Sequence, residues 1–171
     1  MPLPRVYLAN QFGFHDLGRR LLDETVIPAV RALDLHVIDP FREADAKIDF
    51  ARLPALAAHE ERMAFWRSAV ETIGATNAAL IREADAMLVL LDGGHAIDDG
   101  AAAEIGYCAA LGGRPIFAWR SDLRLCESPA SGVNAMLRRF VAESGGELTE
   151  GPGTFDAWLA AIRTWRTRFR S

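Results

Sequence analysis

Ala84-Asp85-Ala86-Met87-Leu88-Val89-Leu90-Leu91-Asp92-Gly93 is the stretch whose reading decides the fold. Its middle, Met87 to Leu91, is apolar without interruption and is closed by an acid and a glycine. A strand with one wet face alternates polar and apolar residues. A continuous run is instead buried on both faces, as inside a parallel sheet. Parallel neighbours need crossover connections, so the flanking segments should be helical.

They read that way. Upstream, residues 61–83 place Phe65, Trp66, Val70, Ile73, Leu80 and Ile81 at helical spacing around Gly74. Downstream, the loop Asp92-Gly93-Gly94-His95 leads to a helix over 100–112, rich in small residues and stopped by Gly112-Gly113. Further strands are expected at Val6-Tyr7-Leu8-Ala9, Leu35-His36-Val37-Ile38 and Pro115-Ile116-Phe117-Ala118-Trp119, with a weak fifth near Glu147-Leu148. Residues 16–33 form a helix that Pro28 should kink or break. Residues 42–60, with scattered charge and Pro54, read as a loop with helical turns over a site. Helices follow over 134–141 and 154–169. The expected architecture is α/β: a doubly wound, flavodoxin-like parallel sheet of about five strands with helices on both faces. Ligands of such sheets bind at the carboxyl ends of the strands, here the loops 10–15, 39–50, 92–99 and 120–133.

At 171 residues the chain is expected to be a single domain, 1–171. Half of it is hydrophobic and 25% is charged, which excludes wholesale disorder. With 19 basic and 23 acidic residues the net charge is −4, the wrong sign for a nucleic-acid binder. Two cysteines, Cys108 and Cys126, make no disulfide framework and suit a reducing compartment. No apolar run approaches the ~18 residues of a membrane span, and no secretory leader is expected. A cytoplasmic location is expected.

The chemistry-bearing residues are acids. Asp85 precedes the central strand and Asp92 ends it; Asp98 and Asp99 approach the next helix, where one of them should cap it. Glu104 lies among alanines on a helix that packs on the sheet, and a carboxylate there is costly unless bonded or used. His15, His36, His59 and His95 show no metal-ligand spacing, no phosphate loop follows the first strand, and no serine has a nucleophile-elbow context. His95 in the acidic loop is a candidate for touching substrate.

Three segments together resemble the nucleoside 2-deoxyribosyltransferase family. They are Tyr7-Leu8-Ala9-Asn10-Gln11-Phe12-Gly13-Phe14, the central strand, and Asp98-Asp99-Gly100-Ala101-Ala102-Ala103-Glu104-Ile105-Gly106-Tyr107, with Ser131-Gly132-Val133-Asn134-Ala135-Met136-Leu137 as a fourth, later match. The resemblance covers roughly residues 5–140. Ala101 departs from the usual Thr or Val, and Gln11 from the usual Pro. The resemblance implies Glu104 as the nucleophile at C1′ of a 2′-deoxynucleoside. It implies Asp98 as an acid holding the base or the nucleophile, and Asp85 as the acid delivering a proton to the leaving base. Tyr7 would bond the nucleophile, and Asn134 would reach the sugar 5′-hydroxyl, typically in a neighbouring subunit's site. Asn10, Phe12, Phe14 and Asp92 are the further candidates for substrate contact, with Phe41 a third ring that could stack on a base.

The implied reaction is transfer of 2-deoxyribose between nucleobases with net retention, without metal or organic cofactor. Its partners are the 2′-deoxynucleoside and the free base. The alternatives are a hydrolase of deoxynucleosides or of their 5′-monophosphates, for which Arg120, Arg124, Arg138 and Arg139 are the basic candidates, and a non-catalytic nucleotide sensor. A homodimer or higher homo-oligomer is expected, from the shared use of Asn134 and from exposure of Trp158, Trp165 and Phe169 on the last helix.

Overall fold

The computed structural model describes residues 2–92, 97–126 and 129–169. Five strands, β1 (Arg5–Ala9), β2 (His36–Ile38), β3 (Ala86–Leu90), β4 (Ile116–Arg120) and β5 (Glu147–Glu150), form one sheet in the order β2-β1-β3-β4-β5. Every pairing is parallel, with Tyr7 opposite Ile38 on one side and Met87 on the other. This is the flavodoxin-like order, whose direction of winding reverses between β1 and β3. The central run is buried throughout, as its unbroken hydrophobicity requires.

Alternation along the strands assigns each side chain to a face. Tyr7, Ala9, Met87, Val89, Ile116 and Ala118 point toward α4 (His59–Glu83), α5 (Asp99–Leu111) and α6 (Ala135–Glu143). Val6, Leu8, Leu88, Leu90 and Phe117 point the other way, into a core closed by α1 (Asp16–Leu21), α2 (Ile27–Arg31) and α7 (Phe155–Arg168). A short helix α3 (Pro40–Asp45) and a 3-10 segment (Phe50–Ala55) fill most of 42–60 and pack on α4.

The kink expected at Pro28 takes a specific form. Between α1 and α2 the helix widens to a π turn over Leu22–Val26, just before the proline. A ring that cannot donate and that crowds the preceding turn is accommodated by a wider one.

The last helix corrects one expectation. Trp158 is fully buried, and its indole donates to the Phe117 carbonyl at 3.1 Å. Trp165 packs on Phe117, and Phe169 on Trp165. These rings cover the sheet of their own chain, because a parallel sheet must bury both faces; they are no argument for a partner.

Gly146 marks a tight approach at the start of β5: a Cβ there would lie 1.9 Å from the Ile116 carbonyl oxygen. Gly146→Ala should therefore destabilise by roughly 2–4 kcal/mol, read as a lower midpoint in urea unfolding at an unchanged slope. A midpoint within error of the parent would show that β5 can shift away at little cost.

Candidate active site

The site is built where α4 and α5 cross above β1. The buried stripe of α5 is Ala101, Ile105 and Cys108, and small residues let the helix lie close to the sheet. Glu104 sits at the border of that stripe, three residues after Ala101 and four before Cys108. Its carboxylate is therefore half-buried over β1 rather than in solvent.

Two donors meet it. The Tyr7 hydroxyl donates to Glu104 Oε1 at 2.6 Å, and the Asn77 side-chain amide donates to the same oxygen at 3.1 Å. Both bonds fall on Oε1, which leaves Oε2 without a hydrogen bond among the described residues. Burial raises the Glu104 carboxyl above its ordinary range, the bonds from Tyr7 and Asn77 pull it back, and the charge of Asp98 raises it again. Burial and the adjacent carboxylate hold the Tyr7 hydroxyl far above its usual range, so it is a fixed donor.

Asp98 is the N-cap of α5, with Oδ2 accepting from the Ala101 amide at 2.8 Å. Asp99 is exposed, and its carboxylate accepts from Gly100. The cap is thus Asp98, and its charge reaches Glu104, six residues further along the helix. Asp39, which caps α3 and pairs with Arg19 at 2.7 Å, is the next acid inward; its charge contributes to the shift of Tyr7.

Asp85 is not brought to this cluster. It precedes β3 at the amino edge of the sheet, where its carboxylate accepts from the Arg5 backbone amide at 2.8 Å. In a parallel sheet that edge lies opposite the carboxyl ends where ligands bind, so the proton-delivery role expected for Asp85 has no geometric support.

The remaining candidates shape the loops. Asn10 Oδ1 accepts from the amides of Phe12 and Gly13, and its own amide donates to the Leu8 carbonyl. Phe12 is buried in the core of the opposite face. Phe14 is 75% exposed and meets Phe41 edge-on at 4.9 Å, so these two are the rings available at the rim. The Asp92 carboxylate accepts from the Ser121 and Asp122 amides and the Ser121 hydroxyl, while its carbonyl accepts from Gln11. One acid thereby ties together the loops after β1, β3 and β4. Asn134 caps α6 through Oδ1. His95 lies outside the described residues.

Asn77 was invisible to motif reading. The available signal was position: it lies four residues after Ile73 and three and four before Leu80 and Ile81, a polar residue on the apolar stripe of α4. Among the described residues no group of three or more His, Cys, Asp or Glu could hold a metal ion, and no helix is long and apolar enough to cross a membrane.

A family model described as nucleoside 2-deoxyribosyltransferase matches residues 6–136. Among solved structures, the chain is similar to a 2-desoxiribosyltransferase from Leishmania mexicana, with a TM-score of 0.62 and 20% identity over 94% of this chain and 97% of that one. It is also similar to a conserved protein from Enterococcus faecalis V583, with a TM-score of 0.63 and 19% identity over 95% and 99%. At such identities these structures bear on the fold alone. No curated protein matches the chain.

Proposed function

Since the chain belongs to the nucleoside 2-deoxyribosyltransferase family, we propose that it exchanges the base of 2′-deoxynucleosides by a retaining double displacement on Glu104. The observation that carries this reading is the pair of donors on Oε1, from Tyr7 and Asn77, holding a half-buried carboxylate with Oε2 unspent.

Glu104 Oε2 attacks C1′ from the face opposite the base. The C1′–N bond breaks, its electron pair leaves on the base nitrogen, and a glycosyl ester forms on Glu104. A second base then attacks C1′ through a ring nitrogen whose N–H proton passes to the departed base, the ester C–O bond breaks, and the carboxylate is restored. Two inversions give retention. Tyr7 and Asn77 stabilise the carboxylate in its ionised form and fix which oxygen attacks. Asp98 is the carboxyl group left near Glu104 to hold the N–H edge of the base. Phe14 and Phe41 at the rim offer apolar faces to it.

Hydrolysis differs only in the second nucleophile. Of the four basic candidates for the 5′-monophosphate reading, Arg124 pairs with Asp122, Arg138 with Glu150 and Arg139 with Glu143, while Arg120 is 3% exposed and gives Nη1 to the Leu91 carbonyl and Nη2 to that of Arg124. A guanidinium used to brace two loops favours the neutral nucleoside as substrate.

The test is chromatographic: 2′-deoxyinosine or thymidine with adenine as acceptor. Formation of 2′-deoxyadenosine supports transfer. Free base without a new nucleoside makes the protein a hydrolase, and no consumption of either donor removes the reading.

Tyr7→Phe separates its role from simple packing. Loss of the hydroxyl should lower kcat/KM at neutral pH roughly 10- to 100-fold, the worth of one hydrogen bond to a charged group. Because that bond lowers the Glu104 pKa, its loss should also move the acid limb of the pH–rate profile upward. An unmoved limb would count against the assignment.

A further inference from the structure

A cavity of about 460 Å³ opens between α5, the loop after β4 and the start of α6. Asp99 and Ala102 line it from α5. Glu104 follows Ala102 by two residues, roughly 200° further round the helix, and faces Tyr7 and Asn77 instead. The cavity therefore lies on the other flank of α5 from the nucleophile.

Its walls are largely apolar, from Ile97, Ala102, Leu125 and Leu137, but they include one charge. Arg120 ends β4, lines the cavity and is 97% buried. Its Nη1 and Nη2 donate to the neutral carbonyls of Leu91 and Arg124, and its Nε has no hydrogen-bond partner. Among the described residues it forms no ion pair. The acids of the neighbouring loops are spent elsewhere: Asp122 pairs with Arg124, and Asp92 accepts from the Ser121 and Asp122 amides. A buried cation is normally matched by an anion, and a buried donor without a partner calls for a reason. Gly132, also in the cavity lining, stands against this guanidinium: a Cβ there would lie 3.0 Å from Nε and 3.3 Å from Cδ. The missing side chain brings the cavity up to the edge of Arg120 that makes no bond.

These features fit an anion with an apolar body, and charge narrows it. One guanidinium matches one negative charge, and the exposed Asp99 lines the same cavity. A phosphate monoester carries more than one charge at neutral pH and would set the surplus beside Asp99. A carboxylate carries one, and its two oxygens suit a planar guanidinium. We propose that this cavity is a second binding site, for a small organic carboxylate that pairs with Arg120 and lays its apolar body against Ile97, Leu125 and Leu137. Its occupant joins α5, α6 and the loop after β4, and so stabilises the fold. No covalent bond is made or broken.

The probe is benzoate, compared with the neutral, near-isosteric benzamide and with inorganic phosphate. Calorimetry on the full chain should give benzoate a Kd of about 1 mM or tighter, with benzamide at least about 10-fold weaker. Bound benzoate should raise the melting temperature. It should also slow alkylation of Cys126, which lines the cavity and is the exposed one of the two cysteines. Gly132→Ala sets a methyl group against Nε while keeping Arg120, and should weaken benzoate at least about 10-fold. Arg120→Met should abolish the preference for benzoate over benzamide; if that variant does not fold, Gly132→Ala and the alkylation rate decide.

Equal affinity for benzoate and benzamide, no binding of benzoate, or binding that Gly132→Ala leaves unchanged would overturn the proposal. So would binding without protection of Cys126, which places the anion elsewhere. Inorganic phosphate binding more tightly than benzoate, with the same loss in Gly132→Ala, would overturn the carboxylate and make the cavity a phosphate site. None of these readouts passes through Glu104, so the result stands or falls apart from base exchange.

Discussion

Glu104→Ala should reduce base exchange by at least about 10⁴-fold in kcat/KM, because no other carboxylate can take over its position. Asp98 is fixed in place through Oδ2 at the helix N-terminus six residues away, Asp92 is committed to the loop after β4, and Asp85 to the far edge of the sheet. Residual binding of nucleoside should persist, since the substitution removes no part of the rim. A variant retaining more than about a hundredth of the parental rate would move the chemistry to another residue.

Glu104→Gln should carry a second signature. Burial raises the carboxyl of Glu104 in the folded chain above its ordinary value of 4.5. The unfolded chain then releases this proton more readily than the folded one. The residue's contribution to stability is therefore fully present below the ordinary carboxylate pKa, and it is lost as pH rises through the raised folded value. Above that raised value the parent bears an ionised, half-buried group, and the neutral amide does not. The glutamine variant should be more stable there by on the order of 1 kcal/mol, with the difference vanishing near pH 4. Thermal melts at the two pH values decide it. Equal stability at neutral pH would mean that Tyr7 and Asn77 fully offset the cost of burial.

These expectations depend on features of unequal legibility. The unbroken run Met87–Leu91 reads as a strand buried on both faces, and helical crossovers on either side make its neighbours parallel, whereas the order β2-β1-β3-β4-β5 rests on the structure. The edge strand β5 was faint because Leu148 is its one apolar residue, between Glu147 and the polar pair Thr149 and Glu150. Glu104 stood out because an acid among alanines on a sheet-packed helix needs a reason. Asp85 was attractive by resemblance, yet it precedes its strand, and the carboxyl-end rule already pointed away from it. Asn77 belongs to no motif, and its importance lies in a contact between two helices 27 residues apart in sequence. Spacing within one helix cannot reveal a partner on another. Nor could helical periodicity say whether the aromatic face of α7 meets its own sheet or a second copy, because both would show the same pattern.

That aromatic face supports the other large effect. Trp158→Ala should destabilise the fold by roughly 3–5 kcal/mol, the usual range for truncating a buried tryptophan. The ring is fully buried among Phe117, Trp119 and Phe155, and its Nε1 donates to the Phe117 carbonyl. For a chain of this length the melting temperature should fall by roughly 6–20 °C, and Trp158→Phe should lose less by keeping most of the packing. A drop of under about 3 °C for the alanine variant would mean that α7 closes over the gap. The substitution also tests the division of labour between the two faces of the sheet. Trp158 packs against the face bearing Phe117, whereas Tyr7 and Glu104 belong to the opposite one. Below its melting transition the variant should therefore retain kcat/KM per folded molecule, with the same acid limb as the parent. Loss of rate without loss of fold would show that α7 transmits strain through β4 and β3 to the position of the Tyr7 hydroxyl.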